Sequence, residues 1–192
     1  MNAAVVVATY NERDNLGELI PAILQYPDYS VIVVDDNSPD GTGALADELA
    51  ARFSGRVTVI HRTAARGLGR SLVAGLRRAL QGSADLIFQM DADLSHDPKY
   101  LPAMAHAAGD ADLVLGSRYL NGVSVVNWPL HRIVLSSFAN SYIRAITGLE
   151  VKDCTTGFRC WRREALSKLP LEGIISDGYA FLVEQLYLAR SA

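Results

Sequence analysis

The feature that most constrains this chain is an alternation that begins near its N-terminus. Short runs dense in aliphatic and β-branched residues are each followed by a stretch with apolar residues at helical spacing. Residues 3–8, 31–34, 57–60, 86–90 and 113–115 read as strands buried on both faces. Between them, residues 16–24, 43–53, 68–80 and 98–108 repeat their apolar side chains with helical period. Asp97 can cap the last of these helices, with Pro98 at its first position. Such alternation predicts an α/β fold in which a mostly parallel sheet is flanked by helices on both faces. The 192 residues suit a single domain, 1–192, with one sizeable core. In sheets of this kind ligands bind outside the carboxyl ends of the strands, so those ends are where function is sought.

After Gly122 the rhythm changes. Residues 133–149 form a longer segment with Leu135, Phe138, Tyr142 and Ile146 near one helical face and Arg132 and Arg144 toward its ends. It reads either as a core helix or as an amphipathic helix lying partly in a membrane interface. Residues 157–161 read as one more strand and 179–189 as a last helix.

Polar residues gather at the strand ends. The first strand runs into Thr9-Tyr10-Asn11-Glu12, the second into Asp35-Asp36-Asn37-Ser38, the fourth into Asp91-Ala92-Asp93 and the fifth into Gly116-Ser117-Arg118-Tyr119. Any one cluster could be turn residues, and Ser38 or Asp40 could simply cap the next helix. Four on one sheet edge point to a ligand. Residues two apart on a strand share a face, so Asp91 and Asp93 can approach one ligand if the chain bends just past Asp91. Paired carboxylates suit a hard divalent cation such as Mg2+ or Mn2+, which prefers oxygen donors and bridges to substrate phosphates.

Other chemistries are excluded. Gly67-Leu68-Gly69 begins like a dinucleotide fingerprint, but the third glycine position holds Leu72, and neither a phosphate-binding P-loop nor a GxSxG elbow occurs. His61, His96, His106 and His131 lack metal-ligand spacing and read as surface or capping residues. Cys154 and Cys160 read as reduced thiols of a cytoplasmic protein. A net charge of −3 argues against a protein that coats nucleic acid. Between Glu48 and Asp85, however, Arg52, Arg56, Arg62, Arg66, Arg70, Arg77 and Arg78 fall with no acidic residue, either as a solvated face or as a patch for anionic head groups. No apolar run approaches the roughly 20 residues that span a bilayer, and no signal pattern opens the chain.

Taken in order, Ala8 to Glu12, Val34 to Thr42, Asp91 to His96, Gly116 to Tyr119, Asp153 to Arg159, and Gly178 to Phe181 with Glu184 carry a family resemblance. The chain resembles the inverting family 2 glycosyltransferases of the GT-A fold, and within them the dolichol-phosphate or polyprenol-phosphate mannosyltransferases. The resemblance spans residue 5 to about residue 190. It implies that Tyr10 and Glu12, with the backbone near Ala8 and Val33, line the base and ribose pocket, and that Asp35 accepts hydrogen bonds from the base. It implies that Asp91 and Asp93, with Ala92 and Ser95 nearby, hold the nucleotide and the metal, and that Arg118 and Arg132 bind the acceptor phosphate. Each arginine could instead be tied up in a structural ion pair.

The implied reaction is inverting transfer of mannose from GDP-mannose to a polyprenyl phosphate, at the cytoplasmic face of a membrane reached through an anchoring segment or subunit. A UDP-glucose-type donor stays open as an alternative, as does a non-catalytic nucleotide-sugar-binding module. The chain departs from the family pattern at Ala8, where proline is usual, and at Leu182, where glutamine is common and whose replacement removes a polar group near the site. Family members also continue into a further strand and a basic loop, so the sequence reads as a catalytic domain truncated at its C-terminus.

Overall fold

A computed structural model describes residues 1–119 and 130–191; the side chains of Leu130 and Arg132 are outside that description. Six strands form one sheet: β1 (Ala3–Thr9), β2 (Tyr29–Asp35), β3 (Val57–His61), β4 (Leu86–Asp91), β5 (Leu113–Leu115) and β6 (Arg159–Arg162), in the order β3-β2-β1-β4-β6-β5. β3, β2, β1 and β4 run parallel, and β6 is antiparallel to both its neighbours. The chain adds β2 and β3 on one side of β1 and then returns to place β4 on the other. The topological switch point therefore lies between the carboxyl ends of β1 and β4.

Alternation along the strands splits the core into two layers. Val5, Val7, Val31, Val33 and Phe88 pack under α1 (Arg13–Leu24), α2 (Thr42–Arg52) and α4 (Leu101–Ala107). Val6, Ile32, Val34 and Ile87 face α3 (Leu68–Gln81), α6 (Arg163–Ser167) and α7 (Gly178–Ser191). Fully burying one such side chain contributes roughly 1.5–3 kcal/mol. A surface ion pair such as Arg77–Glu172 contributes about 0–1 kcal/mol. The doubly covered strands therefore hold the sheet.

Asp97 does act as a cap, its carboxylate accepting from the Lys99 amide at 3.0 Å, but the turn it starts is a 3-10 turn (Pro98–Tyr100) that precedes α4. The arginines between Glu48 and Asp85 do not assemble into one patch. Arg56 donates to the carbonyls of Tyr26 and Tyr29, Arg62 is paired with Asp36, Arg66 lies over the Tyr10 ring and Arg77 pairs with Glu172.

The segment left open between core and interface is α5 (Leu130–Thr147). Its face of Leu135, Phe138, Tyr142 and Ile146 is 60–68% exposed, which overturns the core-helix reading. The helix is held instead by buried Asn140, whose side chain accepts from the Cys154 amide at 2.7 Å. Among the described residues no helix is long and apolar enough to cross a membrane.

Candidate active site

Strand register assembles the site. Ala8 pairs with Asp91 on one side and with Val34 on the other, and Thr9 pairs with Asp35. The polar residues just past β1, β2 and β4 thus share one edge. Among the described residues, every non-glycine with a positive φ lies there too: Asn11 at 61°, Asn37 at 58° and Leu94 at 61°. A left-handed leucine is unfavourable by about 1–2 kcal/mol, and such strain tends to collect where a site demands it.

The β2 end is built around carboxylates. Asp35 is buried and accepts from the Ser38 amide at 3.2 Å and the Ser38 hydroxyl at 2.5 Å. Since a carboxylate can accept about four hydrogen bonds, acceptor capacity remains. His61, at the end of β3, lies 4.0 Å from Asp35 and 3.0 Å from Asp47. Asp36 binds the Arg62 guanidinium and the Gly67 amide, pinning both ends of the loop that carries Arg66. Arg66 stacks 4.4 Å over Tyr10 and donates to its hydroxyl. Glu12 accepts from the Asn15 side chain at 2.7 Å, and Asp40 receives the Thr42 amide at the start of α2. Val33 lies two residues before Asp35 on β2, its side chain in the core and its backbone paired between β1 and β3.

At β4 the chain bends just past Asp91, as the paired-carboxylate reading required, with buried Ala92 and left-handed Leu94 forming the bend. Asp93 and Ser95 are exposed, and the Ser95 amide donates to Asp93 at 3.0 Å. Burial, reinforced by the Asp93 charge, pushes the Asp91 carboxyl above the usual carboxylate range despite His96 beside it. Among the described residues no cluster of three or more His, Cys, Asp or Glu could enclose a metal ion.

His96 is not the surface residue its spacing suggested. Its ring stacks on Phe158 at 4.9 Å, its Nδ1 accepts from the Asp91 amide at 3.0 Å, and burial lowers its pKa. Gly157 packs against this carboxylate, since a Cβ added there would lie 2.8 Å from Asp91 Oδ1. Behind this loop, fully buried Arg159 donates to the carbonyls of Cys154, Thr156 and Leu182 and to the Gln185 side chain. Burial pushes Arg159 down to about 9, which still leaves it charged at neutral pH. At Leu182, where the family pattern commonly has glutamine, no side-chain polar group faces the site. The Leu182 side chain is in the core, and Gln185 meets Arg159.

Arg118 forms a fork with the fully buried carboxylate of Asp153, at 2.8 and 2.7 Å, and also donates to Thr155. Burial alone would lower the Arg118 pKa, but the Asp153 carboxylate more than offsets this and raises it. The ion pair weighed for Arg118 is therefore present. Its side chain, 21% exposed, also lines a cavity of about 860 Å3 between α5 and α7. Leu135, Ile143 and Ile146 line one side and Tyr179, Val183 and Tyr187 the other. The first turn of α5 contains Arg132, whose side chain lies outside the described residues.

The profile of "Glycosyl transferase family 2" matches residues 4–170. The chain is 44% identical over 187 residues to polyprenol monophosphomannose synthase of Mycolicibacterium smegmatis, covering 96% of this chain and 71% of that protein. It is 38% identical over 192 residues to dolichol-phosphate mannosyltransferase of Pyrococcus furiosus, covering 97% of this chain but 52% of that one. Among solved structures, glucosyl-3-phosphoglycerate synthase of Mycobacterium tuberculosis with UDP aligns at a TM-score of 0.66 and 22% identity, over 96% of this chain and 64% of that structure. The same enzyme with Mn2+, UDP-glucose and phosphoglyceric acid aligns at 0.64 and 22% identity, over 96% of this chain and 63% of that one. These likenesses show a GT-A fold. With the profile spanning most of the sequence and the carboxylates at the switch point, the chain belongs to glycosyl transferase family 2.

Proposed function

We propose that this glycosyltransferase moves mannose from GDP-mannose to a polyprenyl phosphate, with inversion, at the cytoplasmic face of a membrane. One juxtaposition carries the reading. The carboxylates past β4 lie on the same edge as Arg118, close enough for its charge to act on Asp91, and Arg118 lines an apolar cavity of about 860 Å3 suited to the first isoprene units of a prenyl chain. The names of the relatives agree, since polyprenol-, undecaprenyl- and dolichol-phosphate mannosyl transfer recur among them. The single six-stranded sheet supports reading the chain as one catalytic domain.

The donor set fits Mg2+ or Mn2+. Asp91 and Asp93 are hard oxygen donors, and Ser95 follows in the same bend, its amide on Asp93. A pair rather than a closed cluster suits an ion that is completed by substrate phosphates and water. Bound there, such an ion supplies Lewis-acid stabilisation of the departing diphosphate. The remaining work falls to the chain. Tyr10, Glu12 and Asp35, with the Ala8 backbone, seat the nucleoside. Arg118, fixed by Asp153, and Arg132 set positive charge beside the acceptor phosphate, which is largely dianionic at neutral pH. One phosphate oxygen forms the new bond to the anomeric carbon as the bond to the diphosphate oxygen breaks, so no strong general base is needed. The exposed apolar face of α5, which carries no acidic residue, meets the membrane surface.

The test is production of a mannolipid from GDP-mannose, Mn2+ and a polyprenyl phosphate in vesicles, with UDP-glucose as the competing donor. Asp93→Asn should lower kcat on the order of a hundredfold. Unchanged turnover in that variant would remove the metal assignment, and product from UDP-glucose alone would replace the donor.

A further inference from the structure

His96 touches Asp91 twice. The Asp91 amide donates to Nδ1 at 3.0 Å, and Nε2 lies 3.6 Å from the Asp91 Oδ2. An amide N–H can only donate, so Nδ1 presents its lone pair and the ring proton is on Nε2, facing the carboxylate. At 3.6 Å the second contact is electrostatic rather than a full hydrogen bond, and a small carboxylate movement would complete it. The imidazole cannot swing away easily: it lies 11° from parallel to the Phe158 ring at 4.9 Å, with its side chain 14% exposed. On another side of the carboxylate the Cα of Gly157 leaves no room for even a methyl group. The carboxylate is thus bracketed between a polar brace and a steric wall.

We propose that His96 is a positioning residue. As the neutral Nε2–H tautomer it ties the backbone of Asp91 to its own carboxylate and fixes the oxygen presented to a divalent cation and diphosphate. The inference rests on the proposed function and deepens it, because it makes metal affinity depend on a residue that is not a ligand. Outer partners of this kind typically alter metal affinity or activity by 10–100-fold when removed.

The discriminating variant is His96→Phe, which keeps a ring on Phe158 and removes both polar contacts; His96→Gln keeps an acceptor and a donor. In the presence of GDP, Mn2+ affinity, read from the electron paramagnetic resonance of free Mn2+, should fall about ten- to a hundredfold in H96F and recover in part in H96Q. Affinity for GDP without metal should match wild type, a result that a general loss of structure would not give. Wild-type Mn2+ affinity in H96F would overturn the inference while leaving the proposed reaction intact. Wild-type protein that binds no Mn2+ with GDP would overturn both. Imidazole 15N shifts of the wild-type protein give a reading independent of any variant. Nδ1 should be unprotonated, and Nε2 should shift when Mg2+ and GDP are added; a protonated Nδ1 or an unmoved Nε2 would equally sink it.

Discussion

At the end of β4 the Asp91 carboxylate meets Gly157 so closely that an added Cβ would lie 2.8 Å from Oδ1 and 3.0 Å from Oδ2. Real Cβ atoms do not make such contacts, so Gly157→Ala must turn the carboxylate, and the fold is the less rigid partner only at that side chain. We expect its turnover to fall on the order of a hundredfold while its melting temperature shifts by only a few degrees; near-normal turnover would show that Asp91 can be placed in more than one way. The carboxylates themselves were legible in the sequence because two residues two apart at a strand end need only local geometry. Gly157, His96 and Arg159 were not legible as site residues. Their significance lies in contacts made across the sheet or through a loop, and no periodicity encodes those. Arg118 stood out in the sequence as a candidate, but its pairing with Asp153, 35 positions away, did not.

Among the elements, α5 departs most from ordinary core packing. Its Leu135, Phe138 and Ile146 side chains are 65–68% exposed, so replacing all three with serine should cost little folding free energy, within about 0.5 kcal/mol per site. Co-sedimentation with anionic vesicles should drop sharply in that variant. Vesicle binding equal to wild type, with unfolding unchanged, would remove α5 from the membrane reading. All six strands and most helices were readable because short buried strands and amphipathic helices each carry their own pattern. The direction of β6 was not readable. A four-residue strand has no sequence mark of polarity, and its antiparallel pairing with β4 and β5 is a tertiary outcome. It is this reversal that brings the loop before β6, with Gly157 and Phe158, back to the edge where β4 ends.

For the molecule as a whole, the Arg118–Asp153 pair ties that loop to the segment following β5. Burial would raise the Asp153 pKa, but the Arg118 fork prevails and holds it below the ordinary 3.8. Because the folded value is the lower one, the pair's stabilisation is complete above the unfolded value and is lost as pH falls through the folded value. Asp91 has the opposite sign, its raised pKa favouring the folded state as it protonates. We expect urea midpoints to decline below about pH 4. Asp153→Asn should be roughly 3 kcal/mol less stable at pH 7 and should show a flatter acid limb, because the buried fork has lost its charge. An acid limb as steep as that of wild type would assign the decline to other carboxylates.

The left-handed turns after β1, β2 and β4 have a consequence for how this sequence can change over time. A population selected for heat tolerance would find relief from steric strain at Leu94, where glycine adopts the required backbone without a clash, though with a larger entropy loss on folding. The same replacement would slacken the bend that sets Asp93 against its neighbours. Durability and chemical competence therefore pull in opposite directions at a single position, and keeping leucine there keeps the bend.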